Sequence, residues 1–322
     1  GSGLLYVSSL STNIEIFPEN YRGKLVGLLV SLFGLSALVF TTVYRTLFQG
    51  DNALAFLAFM ATACGGAALL GTGTFPLVLE SVGCGRWEKS GSVAASRDFS
   101  SVLLKVKESF LMLVASRVFW LFFSIFFLIS GNGLFVINNA ASIAKSIDPE
   151  QGSNMKTSLV IALSACNWFG RLASGVISDS LTARRGVFFI VSSVMFAAAV
   201  IITLAVQSTE ILYVFVMGVG LAYGVMWSIL PTCISEVFGA ENFGQNWGVS
   251  LLAPAAGGLL FNFIAGVAYD AHSGGSGSCT GWSCFHVSLV LALGSCAVAC
   301  LLSVFSVPST DRGRKEGFQE LV

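Results

Sequence analysis

Charged side chains are scarce in this chain, and a few of them stand at the ends of apolar runs, where they can do electrostatic work. Asp179 precedes Arg184 and Arg185 in the segment DSLTARRG, and Glu236 closes the apolar run ILPTCISE. A carboxylate so placed can favour a helix N-terminus, and a guanidinium can pair with it. The expected device is a latch made of Asp179, Arg184 or Arg185, and Glu236, with Arg171 as a further member. It would hold one conformation and break in another. The alternative is a set of interfacial charges that snorkel and fix topology.

A second group could meet a small solute. Asn132 sits between Gly131 and Gly133, with Asn138 and Asn139 further along the same run. Tyr223 and Trp227 are four residues apart, which puts them on one helix face, and Ser228 follows. These groups could line a polar path; hydrogen bonding and ring packing between helices account for them equally well. Gly220 and Gly224 are spaced for a packing seam, and Asn167 and Asn262 are mid-helix amides. Catalysis is not expected, because only His272 and His286 exist, both near one loop. Neither a CxxC pair nor a His/Cys ligand cluster occurs, so no metal and no cofactor is expected.

The elements that must position these residues are long apolar helices. The chain is 55% hydrophobic and 11% charged, with a mean hydropathy of +0.81, whereas soluble domains carry about 25% charge. Eight segments reach the roughly 20 residues a spanning helix needs, at 25–44, 53–79, 118–137, 157–178, 187–206, 210–235, 248–268 and 286–307. The expected class is an all-α multi-pass membrane protein, and zero net charge offers nothing to nucleic acid. The one long polar stretch, 81–110, contains SRDFSSVLLKVKESF, which reads as an interfacial helix or a solvated linker.

Alternating the spans places fourteen Lys and Arg on one side and only Arg45, Lys145 and Lys156 on the other. The richer side, with the C-terminus, is therefore expected to be cytoplasmic. The 269–285 loop then lies outside the cytoplasm, where Cys279 and Cys284 could form a disulfide.

Residues 15–27, EIFPENYRGKLVG, match residues 236–248, EVFGAENFGQNWG, at Glu15/Glu236, Phe17/Phe238, Gly23/Gly244 and Gly27/Gly248. Each stretch sits between two apolar runs, so the match reads as a half-repeat, a mark of secondary transporters. It makes Glu15 the counterpart of Glu236 in the latch. It also makes residues 1–14 the end of a fourth helix, with an expected twelve-helix plan of six plus six. About 110 residues, the length of 112–221 in the second half, would then precede this chain. The expected domains are 1–80 for the rest of a first bundle, 81–111 for a cytoplasmic linker, 112–308 for a second six-helix bundle and 309–322 for a tail.

This plan resembles the major facilitator superfamily, and GRLASGVISDSLTARRG at 170–186 looks like its loop signature through Gly175, Asp179, Arg184 and Arg185. In this chain the basic pair falls about one position later than in that signature. The segments IFPENYRGKLVGLLVSLFGLSALVF, GNGLFVINNAASI, NWFGRLASGVISD, GLAYGVMWSILPTCISEVFG and CTGWSCF resemble blocks of the nodulin-like branch, near the monocarboxylate-transporter relatives. The resemblance implies a monomeric solute carrier working by alternating access, whose seventh and tenth helices help to line the cavity. Asn132, Asn138, Asn139, Tyr223, Trp227 and Ser228 lie on those two. It implies no single substrate: small organic anions, vitamins, amino acids, and iron or haem species remain open. The membrane is the plasma membrane or that of a vacuole or other organelle. No ionisable residue stands near the middle of a full span, so either the protein is a facilitator or its coupling group lies in the preceding helices. A transporter-fold sensor or scaffold is the rival reading.

Overall fold

The structure is a computed structural model, and it describes residues 2–16, 21–48, 52–81, 99–149, 152–180, 185–273 and 279–316. The described residues fold into α1 (Ser2–Ile16), α2 (Arg22–Leu47), α3 (Ala53–Ser81), α4 (Phe99–Ala115), α5 (Arg117–Ile147), α6 (Gly152–Ser180), α7 (Val187–Val206), α8 (Ile211–Val237), α9 (Phe243–Ser250), α10 (Leu252–Ser273) and α11 (Ser283–Glu316). Eight helices are long and apolar enough to cross a membrane, and they coincide with the eight expected segments. The protein is an all-α integral membrane protein of the major facilitator kind.

One expected span proves to be discontinuous. The stretch Phe243–Ser273 crosses as α9 and α10, parted at Leu251. Pro254 is the cause: it has no N–H for the carbonyl of Ser250, four residues earlier. Pro231 inside α8 likewise leaves the Trp227 carbonyl without its helical donor.

The chain divides into two units. In Val39–Ser109, the rings of Tyr44, Phe48, Phe56 and Phe59 join the end of α2 to the start of α3. The other unit, Gly1–Leu38 with Phe110–Val322, holds the remaining helices. In lipid the apolar solvent gives little drive for helix association, so close approach at small residues matters more. Gly220 and Gly224 of α8 lie directly on the α6 backbone at Leu163 and Asn167, and Gly131 of α5 lies on Gly257 of α10. Asn139 donates to Asn262 Oδ1 at 2.8 Å, tying α5 to α10.

Candidate functional site

Two polar centres lie along one helix pair. α6 and α2 run antiparallel, with residues four apart on α6 meeting residues about four apart on α2. Asp179 meets Gly23, Gly175 meets Gly27, and Arg171 meets Val30 and Gly34. At the centre of this seam the backbones touch. A Cβ on Gly27 would fall 2.8 Å from Gly175 Cα, and one on Gly175 would fall 2.7 Å from Gly27 Cα. The Ser228 hydroxyl of α8 borders both glycines, fully buried and without a hydrogen-bond partner.

At one end of the seam, Asp179 caps α2. Its Oδ1 accepts the Gly23 N–H at 2.9 Å and its Oδ2 accepts the Lys24 N–H at 2.8 Å. The first amides of a helix have no intrahelical acceptor, and they carry the positive end of the helix dipole, so a carboxylate fits there on both counts. Arg185, just before α7, joins Asp179 at 2.7 Å and Glu236 at 3.2 Å. All three side chains are buried, at 1% exposure for Arg185, 3% for Asp179 and 7% for Glu236. Arg184 lies outside the described residues. Glu15 is exposed and joins no ion pair among the described residues.

The placement of Arg171 corrects the sequence reading, which put it with these end charges. It lies eight residues before Asp179, about 12 Å along the helix, inside the span Met155–Ser180 and only 3% exposed. Its Nε donates to Asn167 Oδ1 at 2.9 Å, one turn back, and its Nη1 donates to the Val30 carbonyl of α2 at 2.9 Å. The guanidinium carbon lies 5.4 Å from the Trp227 ring and 5.9 Å from the Tyr223 ring. The helix crossing brings an acceptor and two ring faces to Arg171, so it need not reach for the interface. It meets no carboxylate among the described residues. An ionisable group thus lies close to the middle of the span Met155–Ser180, contrary to expectation.

Around Arg171 lie further unsatisfied donors. Tyr6 of α1 is within electrostatic reach of Arg171, and its hydroxyl sits beside the Trp247 indole of α9. Trp227 Nε1 sits beside the Tyr223 hydroxyl. The Tyr6 hydroxyl and both indole N–H groups are buried, yet none completes a hydrogen bond. Phe126 faces both Trp227 and Trp247, at 5.3 and 5.8 Å between ring centroids, and the two indoles are 6.2 Å apart. Tyr6, Asn167 and Trp247 were not singled out for this site from sequence. The four-residue spacing of Asn167 and Arg171 was the available signal; Tyr6 and Trp247 are joined to it only by folding.

The asparagines lie elsewhere. Asn132 is buried and donates to Leu128 O within its own helix. Asn139 serves the α5–α10 contact. Asn138 is exposed in an open recess bordered by Gly258, Asn262 and Phe263. At the opposite end of the bundle from Asp179, a disulfide joins Cys279 to Cys284 with Cα atoms 5.9 Å apart. The Gly281 N–H between them donates to Ser146 O at 2.7 Å, which fastens this turn to the end of α5.

Relatives share much of this chain. It is similar to a "Probable transporter mch1" of Aspergillus fumigatus, 29% identical over 241 residues, covering 62% of this chain and 38% of that one. It is similar to a "Probable transporter MCH1" of Gibberella zeae, 25% identical, covering 83% and 59% respectively. It is also similar to "Protein NUCLEAR FUSION DEFECTIVE 4" of Arabidopsis thaliana, 29% identical, covering 56% and 31%. The chain therefore spans less than two thirds of each of these relatives. Residues 103–315, more than half of the chain, match the family model described as "NFD4, C-terminal domain", and the chain belongs to that family.

Proposed function

We propose that this chain belongs to a secondary transporter that moves a small organic anion by alternating access. The observation that carries this reading is Arg171, a buried guanidinium inside a span that meets no carboxylate among the described residues. A buried charge costs several kcal/mol unless it is answered, and a charge retained at such depth marks a functional site by default. A solute carboxylate would answer it, and the rings of Tyr223 and Trp227 would shape the wall beside it. The names of the fungal relatives agree with transport.

The Lys and Arg distribution supports a cytoplasmic position for the Asp179 end and the C-terminus. On that reading the seam between α2 and α6 is the closed cytoplasmic gate between two bundles. Asp179, Arg185 and Glu236 are its latch. The test is uptake by proteoliposomes holding the full-length protein, across a panel of radiolabelled organic anions. Saturable uptake lost in Arg171→Gln, with the protein still folded, is the expected result. No uptake of any anion, or equal uptake by the variant, would reject the reading and favour a sensor or scaffold.

A further inference from the structure

Arg171 is tied across the seam to a backbone carbonyl, and polar groups near it are buried without a well-formed hydrogen bond. The Val30 carbonyl is a neutral acceptor, whereas hydrogen bonds between a guanidinium and a carboxylate are about twice as strong as neutral ones. The Tyr6 hydroxyl lies within electrostatic reach of Arg171 and beside the Trp247 indole; both groups are buried, and neither completes a well-formed hydrogen bond. Leaving buried donors without acceptors is costly, so two of them side by side near one cation make an arrangement that an added acceptor would satisfy. The two come from different parts of the chain: Tyr6 from α1 and Trp247 from α9, which pack on each other. The Ser11 side chain of α1 lies against Gly244 of α9 in the same contact.

Resting on the anion-transport reading above, we propose that Tyr6 and Trp247 are the second half of the Arg171 site. One carboxylate would accept from the Tyr6 hydroxyl, the Trp247 N–H and the Arg171 guanidinium together, taking the place of the Val30 carbonyl as Arg171's partner. The ligand is an organic carboxylate with an apolar or flat body and no cationic group. The body packs on Phe126, Trp227 and Tyr223, whose rings already surround the site. An ammonium in the ligand would meet the Arg171 charge, while the nearest ring faces are already held by that guanidinium. Binding also has a mechanical consequence. It withdraws Arg171 from Val30 and so removes one of the polar ties between α6 and α2.

The test uses three probes with one body: 3-phenylpropionate, its amide and phenylalanine. Binding of radiolabelled 3-phenylpropionate to the full-length protein in lipid nanodiscs is measured, with the other two as competitors. Saturable binding is expected, with both competitors at least about 10-fold weaker. Tyr6→Phe keeps the ring on Phe33 (centroids 5.2 Å apart) and loses only the hydroxyl; it should weaken binding about 10-fold, the scale of a hydrogen bond to a charged group. If Tyr6→Phe does not fold, Trp247→Phe, which keeps a ring in the stack, carries the same expectation. Wild-type protein that does not bind 3-phenylpropionate, that binds phenylalanine equally well, or that is unaffected by the loss of either donor overturns the inference. Binding that survives Tyr6→Phe but not Arg171→Gln rejects this inference and leaves the anion site standing. Binding that survives Arg171→Gln rejects both.

Discussion

The Asp179 carboxylate accepts the backbone N–H of Gly23 at 2.9 Å, a bond between residues 156 positions apart. It makes a side chain of α6 the N-terminal cap of α2. A cap formed by a neighbouring helix stabilises its partner only while the two helices touch, which is the property a latch requires. Asp179→Asn keeps the shape but loses the charge that faces the α2 N-terminus and Arg185. On the proposed gate reading, it should shift the equilibrium toward the separated state by about 1.5–3 kcal/mol. Spin labels on α2 and α6 would show this as a longer distance population; an unchanged distribution would remove Asp179 from the gate.

The glycine contact offers a steric test. A methyl group on Gly175 would meet the backbone of α2 at 2.7 Å, and backbone cannot swing aside as a side chain can. Gly175→Ala should force the helices apart at a cost of about 1–3 kcal/mol and expose neighbouring buried positions. Faster labelling of a cysteine placed at Ser31, buried in the wild type, is the readout.

Arg185 holds two buried carboxylates, so its removal leaves both unanswered. Arg185→Met should cost about 3–5 kcal/mol, since removing one partner of a buried ion group exposes the others to desolvation without compensation. Adding Asp179→Asn and Glu236→Gln to the same protein should recover much of that loss. Thermal unfolding of the single and triple variants compares the two, and a triple variant no more stable than the single one would contradict the ion-group account.

The Cys279–Cys284 bridge closes a short loop and fastens it through Gly281 to α5. Cys279→Ser should lower stability by about 2 kcal/mol or less, given so short a loop. It should also make Cys284 reactive to maleimide. Labelling of both thiols in the untreated wild type would show that the bridge is absent.

Much of this molecule is legible in its residues. Span length and composition are local properties, so the eight crossing segments follow from apolar runs of adequate length; seven match a single helix and one the pair α9 and α10. The members of the buried ion group also announce themselves, because Asp179 and Arg185 are close in sequence and Glu236 ends a run. What sequence order cannot show is which helix faces meet. Arg171 falls inside the expected 157–178 run, so its depth is legible there, but its partners are not. Only the antiparallel register of α6 on α2, with α8 and α9 folded across it, gives that guanidinium an acceptor at Val30 and two aromatic faces. Tyr6 and Trp247, 241 residues apart by number, become neighbours for the same reason. Apolar periodicity determines the helices one by one. Their packing, set by small residues such as Gly27 and Gly175 that let backbones touch, decides which buried polar groups share a site.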